Sequence, residues 1–173
     1  MQIKARVILI TLAIVAISGC TVETEANSDK NRNQQMENLK AEMDKKGGDG
    51  QPIIFSYIVK ENREAITALL DLGYDIEIKG GFDVTPVIDA ALIDDWITVL
   101  LLLKRGANPL AASRNGLTMT NLLNSSRVDR KGRYGVALEE VQAFLKKKNI
   151  NTKSYTPPQV REMLKNGEWP PTN

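Results

Sequence analysis

Residues 85–109 read TPVIDAALIDDWITVLLLLKRGANP, and the fold can be worked outward from them. Thr85 and Pro86 are residues that open helices: a hydroxyl can accept a bond from a free backbone N–H, and a proline in the first turn needs no donor. Ala90 and Ala91 are small enough to admit a neighbouring helix. Asp94 and Asp95 interrupt the apolar pattern, and Ile97–Leu103 resumes it as a second helix. Gly106, just past the last apolar turn, supplies the left-handed backbone that ends helices, and Asn108 before Pro109 turns the chain away. The stretch predicts a helix, a short turn, a second helix and an exit turn.

The unit recurs. Thr118 lies 33 residues after Thr85, and Gly73 lies 33 before Gly106. TPVIDAA, DDW and TVLLLLKRGANP in that order resemble the ankyrin repeat, whose pattern is TPLHxAA, a short turn, then VVxLLLxxGADxN. The resemblance implies an all-α solenoid of about three helix-turn-helix repeats, joined by finger-like hairpin turns and closed by a C-terminal capping helix. Ile88 stands where that family usually has histidine, so the usual histidine bonds between repeats are expected to be missing.

Gln51–Asp75 reads as a degenerate first repeat, with Pro52 opening one helix, Ala65–Leu72 forming the next and Gly73 ending it. From Pro52 to Gly73 it is one residue longer than from Pro86 to Gly106, which predicts an altered turn around Glu61 and Asn62. Ile76–Val84 and Leu110–Leu117 read as the fingers, the second with Asn115 and Gly116 at its tip. Thr118 opens a third repeat whose first helix runs to about Asn124. Ser125–Arg133 reads as an inserted loop of about nine residues, followed by a helix to Lys147 with Val136, Val141, Phe144 and Leu145 inward. Lys146–Lys148 suit that helix's C-terminus, where the macrodipole favours cations. Thr156–Gly167 is the cap, with a Thr156–Gln159 capping box, and 168–173 is a tail from which Trp169 can pack back.

At the other end, Lys4 and Arg6 precede an apolar run from Val7 to Ile17, and Ser18, Gly19 and Cys20 follow. This resembles a bacterial lipoprotein signal peptide ending in a lipobox. The resemblance implies cleavage after residue 19, lipidation of Cys20 and, with Thr21 rather than aspartate next, a lipid-anchored place on the periplasmic face of the outer membrane. The run is short for a membrane span. Residues 20–50 are expected to be a tether, polar from Thr21 to Asn33, carrying a short helix at Gln34–Lys46 and ending at the break KKGGDG.

Composition narrows the chemistry. Histidine is absent and there is one cysteine, which removes the commonest general base and any His/Cys zinc site. No phosphate loop, nucleophile elbow or metal spacing appears, so no catalytic, cofactor or metal residues are expected. Without Lys4 and Arg6 the basic residues equal the 21 acidic ones, and nothing suggests nucleic acid. Seven acidic residues against one lysine fall between Asp71 and Asp95, and seven basic against three acidic between Arg127 and Lys148, a polarity that can steer a charged partner.

Ankyrin arrays bind proteins through fingers, first helices and inter-helix turns. Carried over, those positions are Phe82 and Asp83, then Asp94, Asp95 and Trp96, then Arg114 and Asn115; the basic loop adds Arg127 and Arg130. The architecture resembles immunity proteins that accompany phospholipase effectors of type VI secretion. It implies a single protein partner, a toxin (a lipase) encoded by a neighbouring gene. The alternative is an envelope scaffold or stress-protection lipoprotein that tethers a housekeeping enzyme.

Overall fold

A computed structural model describes residues 30–150, 152–153 and 155–171; Cys20 and the leader 1–19 lie outside them. It is all-helical, with no strand among the described residues. The chain divides into two units, residues 1–40 and 41–173. In the first, the described residues are helical, the start of a helix (α1, residues 30–42) that is longer at its N-terminal side than the expected Gln34–Lys46 and shorter at its other end.

The second unit holds α2 (Ile53–Val59), α3 (Arg63–Asp71), α4 (Pro86–Leu92), α5 (Trp96–Lys104), α6 (Met119–Ser125), α7 (Arg133–Lys147) and α8 (Pro157–Asn166). The starts of α2, α4 and α6 are spaced by 33 residues and each is 7 residues long, and α3 and α5 keep the same spacing at 9 residues each. The connections repeat too. Gly47, Gly80 and Ser113 each donate a backbone N–H to the carbonyl four residues on, at 2.6, 2.9 and 2.9 Å, so each closes a narrow loop before a first helix. There are therefore three such loops, and the first lies inside 46–52, where the sequence suggested only a break after a tether.

This register corrects the reading of the first repeat. Pro52 occupies the N-cap of α2, as Thr85 does for α4 and Thr118 for α6, so the spacing to the glycine is the same in both units and no residue is added. The tight turns match as well: Glu61 and Asp94, 33 apart, have φ of 52° and 58°, and the next residue in each case, Asn62 or Asp95, caps the following helix. Capping by Thr85 does not occur. Its hydroxyl is buried without a partner, whereas Thr118 forms a full capping box with Asn121.

First helices pack on first helices, α2 on α4 and α4 on α6, while α5 packs on α4 and α7. Between the layers lie Ile54, Ile58, Ile66, Leu69, Val87, Ile88, Trp96, Leu102, Leu123 and Leu138, all essentially without exposure. Burying side chains of this kind contributes roughly 1.5–3 kcal/mol each. Ile88 is thus a core residue, an apolar filling where a histidine would need bonding partners.

The insertion is mostly helix. The loop between α6 and α7 covers only residues 126–132, and α7 runs 15 residues against 9 in α5. Its inward face is Ala137, Leu138, Val141 and Leu145; Val136, expected inward, is exposed and Phe144 is half-buried. Helical spacing from Leu138, Val141 and Leu145 puts position 136 on the opposite side. Gly135 permits the loop to lie against α7, since a Cβ there would overlap the Asp129 carbonyl and stand 2.5 Å from Arg130 Cα. Gly135→Ala is expected to lower stability by about 1–3 kcal/mol through overpacking, read in a urea unfolding curve.

The last helix ends as expected at Gly167, in the left-handed region, and Thr156 N–H donates to Gln159 Oε1. Trp169 packs back from the tail as expected: its indole N–H donates to the Leu110 carbonyl at 2.9 Å while its ring meets Tyr155 edge-on.

Candidate functional site

The residues singled out for partner binding fall at two ends of α4, a helix about 10 Å long at 1.5 Å per residue. At one end the loops are tied side by side. Gly81 N–H donates to Gln51 Oε1 at 2.8 Å, Arg114 N–H donates to the Phe82 carbonyl at 2.8 Å, and the Arg114 guanidinium meets Asp83 at 3.3 Å. Asn115 offers its carbonyl to Arg161 of α8 at 3.1 Å. Phe82, Asp83, Arg114 and Asn115 therefore form one continuous surface. Phe82 is 63% exposed and both Phe82 and Asp83 have positive φ, so the turn holds an aromatic ring out in water at some conformational cost.

At the other end the expectation fails. Trp96 has no exposure, and Asp95 is 1% exposed. The indole N–H donates to Asp94 Oδ1 at 3.0 Å and to Ser126 Oγ at 3.1 Å, and Ser126 donates to the same Asp94 oxygen at 2.7 Å. Asp95 accepts from Thr98 N–H and Oγ1 and from Arg63 at 2.7 Å. The turn aspartates and the tryptophan are joints between successive units, not a contact face. Glu61, in the equivalent turn, accepts from Tyr134 at 2.6 Å, which carries this line of contacts across to α7. Arg127 and Arg130 are exposed on the loop that this joint anchors.

The sequence reading passed over the residues on the open side of the first helices. Val59 at the end of α2, and Leu92 and Ile93 at the end of α4, are exposed at 67, 43 and 45%. Between α2, α4 and the first two loops lies a cleft of about 290 Å³, reached by Phe55, Val59, Phe82, Asp49 and Asp89. Asp89 Oδ2 is buried and has no hydrogen-bond partner. Burial raises the carboxyl to about 6, with the charge of Asp49 adding to the effect. Because it holds its proton more tightly when folded than at the ordinary value of about 4, its ionisation opposes folding, and stability falls as pH climbs from about 4 to about 6. Apolar positions at the ends of amphipathic helices were the available signal, since Val59 and Ile93 fall just where each inward pattern stops.

A second, shallower groove of about 460 Å³ runs between the 113–116 loop and α8, with Lys79, Arg114, Arg161 and Lys165 around it. Among the described residues no group of carboxylates, cysteines or histidines could hold a metal ion, and no helix is long and apolar enough to cross a membrane. No family model and no curated protein matches this sequence.

Proposed function

We propose that the chain is an ankyrin-type protein-binding module, held by lipid on Cys20 at the periplasmic face of the outer membrane. In this reading it is an immunity protein that binds and neutralises an antibacterial type VI effector, a phospholipase toxin, and it is not an enzyme. The observation that carries the binding reading is the surface on the open side of α2 and α4, where Phe82, Val59, Leu92 and Ile93 stay exposed although apolar. Large exposed aromatics and aliphatics beside a preformed cleft are what an interaction hot spot uses. The 33-residue register of helices and loops supports the repeat architecture, which presents such a surface by stacking. The immunity role is an inference from architecture and from the lipobox-like leader, not from the site's chemistry.

The test is capture of the product of the neighbouring gene by the full chain, with a Phe82→Ala, Val59→Asp variant beside the parent. Both substitutions lie at exposed positions and should leave the unfolding midpoint unchanged. Retention of a lipase-like protein, weakened at least tenfold by the variant, is the expected result. Retention of housekeeping enzymes alone, or undiminished capture by the variant, would refute the partner or the face respectively.

A further inference from the structure

Resting on the binding reading above, we infer that the cleft between α2, α4 and the first two loops is a pocket for an arginine side chain of the partner, with Asp89 as its anchor. The pocket's chemistry is lopsided. Its walls are the Phe55 and Phe82 rings and Val59, and its titratable groups are Asp49 from the 46–52 loop and Asp89 from α4. Gln51, Gly81 and Val84 also line it, so among the described residues α2 and the second loop bring no charge of either sign to face Asp89. Among the described residues no cation lines it to neutralise the pair.

A carboxylate left this way is a standing cost to the free protein. Asp89 has a buried oxygen without a donor, and the Asp49 charge nearby makes ionisation harder still. Buried charges in folded proteins are ordinarily paired or hydrogen-bonded. A guanidinium entering the cleft would supply both charge and donors, and its flat face would lie on aromatic ring, a stacking mode that lysine's compact ammonium matches less well. The volume of about 290 Å³ admits one such side chain. The two charges that line the cleft, Asp49 and Asp89, are both negative. A positive partner is drawn to this side and a negative one is repelled.

Asp49 has a second duty that separates it from Asp89. Its Oδ1 accepts from Gln51 N–H at 3.0 Å, which shapes the loop, whereas the buried Oδ2 of Asp89 has no hydrogen-bond partner. Asp89→Asn should therefore raise the melting temperature at pH 7.5, since it removes an unfavourable ionisation, while weakening the pocket. A stabilising change that costs binding is the mark of a functional group and not of a structural one.

The experiment uses the full chain and two peptides, acetyl-Phe-Arg-Leu-amide and its citrulline counterpart, which has the same shape without the charge. NMR titration at pH 7.5 should show the arginine peptide perturbing Phe82 and Val59 and lowering the Asp89 titration midpoint. The citrulline peptide should bind at least tenfold more weakly. Arginine-peptide binding should fall at least tenfold in Asp89→Asn and weaken as pH drops from 7.5 to 5. Equal binding of the two peptides, no binding of either, or binding indifferent to Asp89→Asn would each overturn the inference. If the arginine peptide behaves as stated while the neighbouring gene product is not captured, the pocket stands and the proposed partner falls; capture that Asp89→Asn leaves unchanged does the reverse.

Discussion

Asp95→Ala should lower the unfolding free energy by about 3–5 kcal/mol, the range for removing one partner of a buried ion pair. Its carboxylate accepts from Arg63 at 2.7 Å and from both Thr98 groups, and the residue is 1% exposed while the Arg63 side chain is 23% exposed. Truncation leaves the half-buried guanidinium with only its longer contact to Glu61, at 3.4 Å, and uncaps α5 at once. Asn62 fills the equivalent position in the preceding unit, accepting from Ala65 N–H, so the geometry suits asparagine. Asp95→Asn should accordingly keep the cap and lose only the charge, at about 1.5–3 kcal/mol. An Arg63→Ala, Asp95→Ala double mutant should cost less than the sum of the singles, a coupling read from urea curves. Additive losses would show that the pair contributes nothing as a pair.

Trp96→Ala should be similarly damaging, about 3–5 kcal/mol for emptying a site that a fully buried indole fills. Trp96→Phe separates packing from hydrogen bonding. It retains most of the volume and removes the N–H, yet Ser126 still donates to Asp94 at 2.7 Å, so the expected loss is about 1 kcal/mol. Trp169 is the one other tryptophan, and its fluorescence follows unfolding in both variants. A Trp96→Ala protein as stable as the parent would mean the joint between α5 and the 126–132 loop carries no load. The two predictions bear on function indirectly, since any loss of partner binding in these variants reports a damaged fold and not a damaged contact.

Much of the architecture was legible in the linear chain because it depends on local rules and on one period. Pro86, Gly73, Gly106 and Gly167 punctuate helices through backbone chemistry that needs no tertiary partner, and the Thr156–Gln159 box forms within one turn. The 33-residue spacing located α3 through α6 within two residues. Where punctuation is written differently the register is harder to read: Pro52 is an N-cap where Pro86 is a first-turn residue, and Asn149, with φ of 54°, follows α7 where the earlier units use glycine, although the helix ends at Lys147 as expected.

The candidate site was less legible, for a physical reason. Asp94, Asp95 and Trp96 are polar or amphipathic residues in a turn, and in a sequence such residues look like surface; whether they face water depends on what stacks on the turn. Here Arg63 comes from 32 residues before Asp95, and Ser126 from 32 residues after Asp94. Conversely, Val59, Leu92 and Ile93 look like core and lie in water, because α2 and α4 each have a face that no later element among the described residues covers. Asp89 sits three residues after Pro86 and reads as an ordinary first-turn acid favoured by the helix dipole. Helix ends and their order are thus properties of short windows of chain. Which side chains become joints, and which carboxylate is left in a cleft without a partner, is decided only when groups some thirty residues apart are stacked and the water between them is excluded.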